Sequence, residues 1–497
     1  MTGGAQGSMG ATIVLPAGQR RMVLATAMFT GAIYSLNLTL VSISLPFMQG
    51  SFSATPDQIS WVVTAFIIGM TAMITSTGWV AARLGRKRLY ILSLATFTLI
   101  SLMCGNATSL EEEVMWRFLQ GVSGAPLIPL SQAIVIDVYP REESARALGV
   151  WAIGMMVGPV IAPPIGGWIT DLYGWPAVFF INLPIGLCAF LGAILFIPST
   201  PAERGRRIDA LGLGTLVIGL IAIQLTLNRG TRLDWFASSE ILITFSIGVA
   251  FLYAFVVHAL TGRDTLINPA MFRDRNYTFG LCLIAFLGTQ VFLPTLLLPL
   301  MLKNLVQYPI DMIGLLLAPR AIGIMIASAF TGPLTQRIDP RLLIVAGFLM
   351  IGAANWMMGQ WSLDVGPWAV IWTGLIQGAG SNLVFVPLNA LTFRTLAGRY
   401  RGDAVPLFYL VLNLGASAGI AAVMTYLTQD TQTAHAILSE NITLFNDGAR
   451  DTIGMANIER EVSRQAGMIA YNNTFMFIAV LAVIPVPLVY LLKRVRP

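Results

Sequence analysis

Two arginines carry the clearest chemical signal in this sequence, because each lies inside a long apolar stretch. Arg117 lies near the start of one stretch, and Arg320 lies about 14 Å from the start of another if that stretch is helical. A charge at the centre of a bilayer costs about 3 kcal/mol or more, so such residues mark pathways of substrates or ions. The sequence therefore predicts that both side chains belong to a transport or binding pathway.

Each arginine also has a structural explanation. Arg117 follows Glu113 by four residues, which would allow an ion pair on one helix face near the membrane boundary. Arg320 follows Pro319, and its guanidinium could bind carbonyls that a break in the helix sets free. If Arg320 instead faces a cavity, its charge favours an anionic or amphipathic ligand.

The apolar stretches that must position these residues dominate the chain. Hydrophobic residues make up 56% of the 497 and charged residues 11%, and the mean hydropathy is +0.74. A spanning helix needs about twenty mostly apolar residues. Fourteen stretches meet that requirement: 22–46, 60–81, 88–107, 113–136, 147–169, 176–197, 209–227, 238–258, 277–301, 312–333, 341–359, 367–392, 404–427 and 471–492. Because no strand-period pattern accompanies them, the sequence predicts an all-α membrane protein with 14 transmembrane helices.

The positive charges predict the orientation of these helices. Most of the 30 Lys and Arg residues lie in every second gap between apolar stretches, and loops on the cytoplasmic side retain such residues. Both termini are therefore expected in the cytoplasm, with residues 1–21 as an N-terminal tail. The formal charge of +6 reflects this pattern, and no basic stripe with interleaved aromatic residues predicts a nucleic-acid partner.

Residues for enzymatic or metal chemistry do not form any pattern in this sequence. The three cysteines lie in apolar stretches without a paired spacing, and neither histidine has a metal-ligating neighbour. The sequence also lacks a nucleophile–base constellation and a phosphate-binding glycine loop. We therefore expect no enzymatic activity, no cofactor and no metal.

An internal repeat predicts how the helices are grouped. The connection after the second stretch aligns with the connection after the tenth, so that Arg83 matches Arg337 and Leu89 matches Leu343. Equivalent loops eight stretches apart imply two six-helix bundles with two inserted helices between them, as in secondary transporters built from repeats. The predicted divisions are the bundle 22–197, a cytoplasmic linker 198–208, the inserted helices 209–258, the bundle 276–493, and an exterior loop 429–470 within that second bundle.

Residues 78–88 read GWVAARLGRKR, and they resemble the signature between the second and third helices of the major facilitator superfamily. Gly78, Arg83, Gly85 and Arg86 occupy the positions of that motif, although Ala82 replaces its usual aspartate. The resemblance implies that the arginines pair with carboxylates at cytoplasmic helix ends in one gating state. A plain topology anchor is the alternative.

Two further motifs resemble those of exporters in the same superfamily. Arg117, Gln120 and Gly121 match an RxxQG motif whose arginine is tied to proton handling. The fifth stretch contains Trp151, Gly154, Gly158 and Pro159, and it resembles the antiporter signature. Glycines spaced four apart permit close packing of helices, and proline bends the helix. Ordinary helix packing is the alternative explanation.

The whole chain resembles the fourteen-helix drug:proton antiporters of the EmrB/QacA group, and most of all their EmrB-like members. The words LIPLSQ at 127–132 and FFINLPIG at 179–186 carry that resemblance. One position differs: Asn37 stands where the group's first helix has an acid, and an amide cannot carry a proton. None of the 24 acidic residues lies in the central third of a predicted span. Any proton coupling would therefore use a peripheral acid, with Asp137 the first candidate, or the substrate itself would carry the charge.

The resemblance implies a secondary active transporter that exports hydrophobic or amphipathic compounds across the bacterial inner membrane by alternating access. The predicted pathway residues are Asn37, Arg117, Gln120, Trp151, Arg320 and Asn413. The polar loop 429–470 suggests docking of a periplasmic adaptor and an outer-membrane channel, although it could be a solvated cap. A lipid or metabolite exporter with altered coupling, and a non-transporting scaffold or sensor, are the alternatives.

Overall fold

The computed structural model describes residues 15–199, 209–262, 265, 267–440 and 452–493. Most of the predicted N-terminal tail, residues 200–208 of the predicted linker and residues 441–451 of the predicted exterior loop lie outside this part of the chain. The described residues form α-helices, short 3₁₀ turns and connections.

Seventeen α-helices follow one another along the described ranges. They are α1 (Ala17–Ser51), α2 (Pro56–Leu84), α3 (Arg86–Gly105), α4 (Leu110–Gly124), α5 (Leu127–Val138), α6 (Arg141–Tyr173), α7 (Ala177–Phe180), α8 (Asn182–Phe196), α9 (Ala210–Arg229), α10 (Ser239–Thr261), α11 (Arg275–Asn304), α12 (Ile310–Arg337), α13 (Pro340–Met358), α14 (Pro367–Arg394), α15 (Arg401–Ser439), α16 (Thr452–Val483) and α17 (Pro485–Val489).

The helices account for the fourteen predicted spans. Thirteen helical segments of the described chain are long and apolar enough to cross a membrane, and α6, with 33 residues, covers the remaining predicted span. Three spans are each made of two helices, namely α4 with α5, α7 with α8, and α16 with α17. Pro126 marks the first of these breaks because proline has no N–H to continue the helical ladder. The prediction of an all-α protein with fourteen transmembrane helices is confirmed.

Side-chain caps define where several helices begin. Before α2, Thr55 Oγ1 accepts from the backbone N–H of Gln58 at 3.3 Å, and the Gln58 side chain accepts from the N–H of Thr55 at 2.9 Å. Ser109 caps α4 through the N–H of Glu112 at 3.2 Å. Three acidic residues follow in the first turn of α4, where the partial positive charge of the helix end favours them.

The segment 429–470, predicted as an exterior loop, is largely helical in the structure. Helix α15 continues to Ser439, and α16 begins at Thr452, well before the predicted span. The two extensions contact each other, since His435 Nε2 lies 2.9 Å from Glu459 Oε1 and Asn473 Nδ2 donates to Asp430 Oδ2 at 2.9 Å. The sequence indicates only a weakly helical stretch near 455–466, and the structure has more helix than that because polar helix formers extend both helices beyond the apolar spans.

The packing of the helices repeats between the two halves of the chain. In the first half α1 packs against α6 and α2 against α4, and in the second half α11 packs against α15 and α12 against α14. Close backbone contacts repeat as well. A Cβ atom on Gly121 would lie 2.1 Å from the Phe66 carbonyl oxygen, and one on Gly378 would lie 1.8 Å from the Arg320 carbonyl oxygen. Arg320 thus occupies the place in α12 that Phe66 occupies in α2.

The two bundles meet through α6 with α12 and α2 with α15. Helices α9 and α10 form a hairpin beside this junction, and α9 packs against both α2 and α15. His258 Nε2 lies 2.8 Å from Asp209 Oδ1 at one end of the hairpin, and Arg229 pairs with Glu240 at the other. Only 11% of the most apolar window of α10 is buried, so most of that helix faces the membrane.

Candidate functional site

The guanidinium of Arg117 is the centre of a buried polar cluster in the first bundle. The residue is 1% exposed. Its Nη1 donates to Asn37 Oδ1 on α1 at 2.9 Å and also to Gln120 Oε1, and its Nε donates to the carbonyl of Val62 on α2 at 3.3 Å. The face of the Phe66 ring lies 4.4 Å from the guanidinium carbon. Arg117 therefore connects α4 to α1 and α2 through neutral groups.

The cluster extends from Gln120 towards α3 and α8. Gln120 Nε2 donates to Ser101 Oγ at 2.7 Å, and Asn182 Nδ2 lies 3.5 Å from the same oxygen. The Asn37 amide nitrogen is buried and has no hydrogen-bond partner among the described residues. Sequence analysis identified Asn37, Arg117 and Gln120 but missed Ser101 and Asn182, because nothing in a single apolar stretch shows which neighbouring helix it faces.

Glu113 does not form the ion pair with Arg117 that their spacing allows. The residue is fully buried, and neither carboxyl oxygen has a hydrogen-bond partner in the described structure. The nearest ionisable groups are Arg117 and Glu112 on its own helix and the Cys104 thiol on α3. A buried, unpartnered carboxyl thus lies one helical turn from a buried guanidinium that is bound to neutral acceptors.

The predicted glycine motif of the fifth span packs directly against α1. A Cβ atom on Gly154 would lie 2.5 Å from the Met28 carbonyl oxygen, and one on Gly158 would lie 2.3 Å from the Ser35 carbonyl carbon. The backbone N–H of Gly158 also donates to Ser35 Oγ at 3.2 Å. Pro159 lies within α6, but its side chain is outside the described structure. The close approach leaves no room for larger side chains at either glycine.

Trp151 is buried in this conformation. Its ring is 0% exposed, and its Nε1 donates to Ser131 Oγ on α5 at 3.1 Å. In this conformation Trp151 therefore presents no surface that a substrate could contact, and its place in the pathway stays a prediction.

The residues of the 78–88 motif lie where α2 and α3 approach α5 and α15. Arg86 forms an ion pair with Asp137 at the end of α5, and the Arg83 guanidinium lies 5.3 Å from the ring centre of Trp79. Gly85 has φ +87°, a left-handed conformation that favours glycine. A Cβ atom on Gly78 would lie 2.6 Å from Asp403 Oδ1 of α15, so this glycine lies at the junction of the two bundles.

In the second bundle, Arg320 reaches from α12 to α11. Its Nη2 donates to the Val291 carbonyl at 2.6 Å, and its Nη1 donates to Thr295 Oγ1, while its buried Nε has no partner among the described residues. This geometry matches carbonyl binding, and Pro294 lies between the two contacted residues of α11. Asn413 is half-buried on α15 and makes no hydrogen bond within the described ranges.

Ionisable residues do not cluster as metal ligands in the described structure, where no group of three or more His, Cys, Asp or Glu side chains converges. The cluster around Arg117 can form hydrogen bonds, and it brings the Glu113 carboxyl near the Arg117 guanidinium.

Comparison with known proteins identifies the class to which this fold and cluster belong. The sequence profile described as Major Facilitator Superfamily matches residues 27–266 and 278–439, and the chain belongs to that family. The structure also resembles the human organic anion transporter MFSD10 (TETRAN), with a TM-score of 0.61 at 14% identity over 96% of this chain and 100% of that one. That likeness concerns the fold.

Two curated relatives are more similar in sequence. The chain is 31% identical over 475 residues to the Multidrug export protein EmrB of Escherichia coli (strain K12), with 92% of each chain covered. It is 31% identical over 472 residues to the Fatty acid resistance protein FarB of Neisseria gonorrhoeae, which covers 92% of this chain and 93% of that one. The resemblance to the EmrB-like group is confirmed.

Proposed function

We propose that this protein is a secondary active transporter that exports hydrophobic or amphipathic compounds by alternating access, in exchange for protons. The observation that carries this proposal is the Arg117 cluster on a major facilitator fold, where a buried cation is held between three helices by neutral groups. A charge so placed costs folding energy and is typical of substrate or ion pathways. The names of the relatives, multidrug export and fatty acid resistance, support export as the direction of transport.

Alternating access requires that the bundles tilt relative to each other. The contacts of Gly154 and Gly158 with α1 allow α1 and α6 to slide without side chains that interlock. Near the C-terminal end of α2, the contact of Gly78 with Asp403 joins the two bundles. The Arg86–Asp137 ion pair holds α3 to α5. We infer that these last two contacts form the closed cytoplasmic gate.

An amphipathic anion is the substrate class that a second observation favours. The buried Nε of Arg320 has no partner among the described groups, so its guanidinium retains an unused donor. FarB is named a fatty acid resistance protein, and fatty acids are amphipathic anions of this kind. We propose that such anions are exported along with uncharged hydrophobic compounds.

The charge pattern and the bacterial origin of the relatives support a proposal for the placement in the cell. We propose that the protein spans the inner membrane of a bacterial cell with both termini in the cytoplasm. The paired extensions of α15 and α16 would then project to the outside, where their polar surface suits a periplasmic adaptor that leads to an outer-membrane channel.

Counterflow in proteoliposomes tests the proposed transport. Vesicles with purified protein are loaded with unlabelled ethidium, a hydrophobic cation, or taurocholate, an amphipathic anion, and diluted into the labelled compound. We expect transient accumulation of label above the level of protein-free vesicles. No accumulation of either probe would support the scaffold or sensor alternative instead.

A further inference from the structure

We propose that Glu113 is the proton-carrying residue of this transporter, replacing the acid that Asn37 lacks, and that its protonation determines whether Arg117 is free to bind Asn37. This proposal rests on the proposed function and names the residue that couples it to protons. Its starting point is geometric: Glu113 is fully buried, and neither of its carboxyl oxygens has a hydrogen-bond partner among the described residues.

An ionised carboxylate in such a place would lack any solvation. A charged group that is buried without a donor is strongly destabilised, and it becomes neutral by taking up a proton. The described arrangement of the cluster is therefore that of the protonated acid. The donors of Arg117 agree, because all of its hydrogen bonds go to the neutral acceptors Asn37, Gln120 and Val62.

Release of the proton changes the balance of charge in the cluster. The O–H bond of Glu113 breaks, the proton leaves to water, and the pair with Arg117 changes from a net charge of +1 to zero. The two residues are four apart on α4, a spacing at which carboxylate and guanidinium attract each other. The new carboxylate then competes with the Asn37 carbonyl for the same guanidinium, and the bond from α4 to α1 is lost.

The groups around Glu113 affect both its protonated and its ionised form. Besides Arg117, the ionisable groups that face it are Cys104 on α3 and Glu112 on α4. The arginines of α1 and α2 are at the opposite ends of those helices, at Arg20, Arg21 and Arg83. Glu113 also lies in the first turn of α4, where the positive helix end favours the ionised form.

The bond between Arg117 and Asn37 leads from the proton site to the moving helices. Asn37 lies on α1, the helix whose backbone contacts Gly154 and Gly158 of α6. The protonation state of Glu113 therefore determines whether α4 moves together with α1 or separately from it when α1 shifts against α6, and the substrate-bound protein can make either movement. One proton would move inward for each substrate molecule that moves outward.

Infrared difference spectra between acidic and alkaline pH test the carboxyl without any substrate. We compare the wild type with Glu113→Gln and with Glu111→Gln, a matched control that removes an exposed acid from the same helical turn. The band of a buried protonated carboxyl should be present in the wild type and in Glu111→Gln and absent from Glu113→Gln. Identical spectra for all three proteins would overturn the proposal.

Transport in proteoliposomes tests the coupling. A gradient of one pH unit supports about tenfold accumulation of ethidium for each exchanged proton. We expect this accumulation in the wild type and in Glu111→Gln, its loss in Glu113→Gln with counterflow retained, and partial recovery in Glu113→Asp. Gradient-driven accumulation that persists in Glu113→Gln, or is absent from a wild type that shows counterflow, contradicts the role of Glu113. Absence of counterflow in the wild type contradicts the proposed function instead, and the infrared result still decides on the carboxyl.

Discussion

Arg117 Nη1 donates a hydrogen bond of 2.9 Å to the side-chain carbonyl of Asn37, and this bond joins α4 to α1 inside the first bundle. The contact places an amide where the resemblance to drug:proton antiporters would place an acid. A hydrogen bond to a charged group contributes about 1.5–3 kcal/mol, and the acceptor here stays neutral at every pH. The bond can therefore respond to protons only through another group that competes for Arg117.

The first prediction concerns Asn37 itself. Asn37→Ala removes the acceptor but no titratable group, so it should weaken ethidium binding and also lower the accumulation driven by a pH gradient, because the bond that links Arg117 to α1 is lost. Asn37→Asp should add a second proton-sensitive step, because a carboxylate would then face Arg117. Binding and gradient-driven uptake in proteoliposomes measure both effects, with Ser42→Ala at an exposed site of α1 as the control. Accumulation at the wild-type level in Asn37→Ala would show that this bond does not carry the coupling.

The second prediction concerns the sliding contact between α1 and α6. Gly158→Ala would place a Cβ atom 2.3 Å from the Ser35 backbone, and overpacking of this kind costs about 1–3 kcal/mol. We expect strongly reduced counterflow with the protein still inserted in the membrane. Gly167→Ala is the matched control on the same helix, since its Cβ would meet nothing within 4 Å. Equal activity of the two variants would reduce Gly158 to an ordinary packing position.

The third prediction separates gating from proton coupling at Asp137. Sequence analysis favoured Asp137 as the coupling acid, whereas the structure pairs it with Arg86 at a partly exposed position. Asp137→Asn should therefore change the rate of counterflow and leave gradient-driven accumulation in place. The exchange Arg86→Asp with Asp137→Arg should restore part of the rate, although exposed pairs contribute only about 0.2–1 kcal/mol. If Asp137→Asn abolished accumulation while counterflow continued, Asp137 would be the coupling residue.

The fourth prediction distinguishes the two roles of Arg320. If Arg320 binds amphipathic anions, Arg320→Gln should lower taurocholate transport at least tenfold more than ethidium transport, a difference of about 1.4 kcal/mol in binding. If Arg320 only donates to the Val291 carbonyl, Arg320→Gln should lower the transport of both probes equally, through a change in the local structure of α11. Counterflow of the two probes side by side gives the ratio, with Arg320→Lys as the variant that keeps the charge.

The number of spans, their approximate bounds and the family could all be predicted from the sequence, because apolar length and charge alternation are direct consequences of the bilayer. The partners of Arg117 could not. Spacing along α4 suggested Glu113, while the structure gives Asn37 from α1 and Val62 from α2. Helical periodicity defines the face on which a side chain lies, but which neighbouring helix it meets is decided by tertiary packing. The helical extensions of α15 and α16 were predicted only in part, as a weakly helical stretch near 455–466, because their polarity masked their helix propensity.

The central claim is that export of substrate is exchanged for protons, and simultaneous measurement of both fluxes tests it most directly. Proteoliposomes that contain a pH indicator are loaded with ethidium, and the efflux of dye and the internal pH are followed together after dilution. The account predicts that the interior acidifies as ethidium leaves and that acidification stops when efflux is complete. Vesicles with Glu113→Gln should release dye only when ethidium is also added outside, and without acidification. Efflux of ethidium from wild-type vesicles at constant internal pH would contradict it.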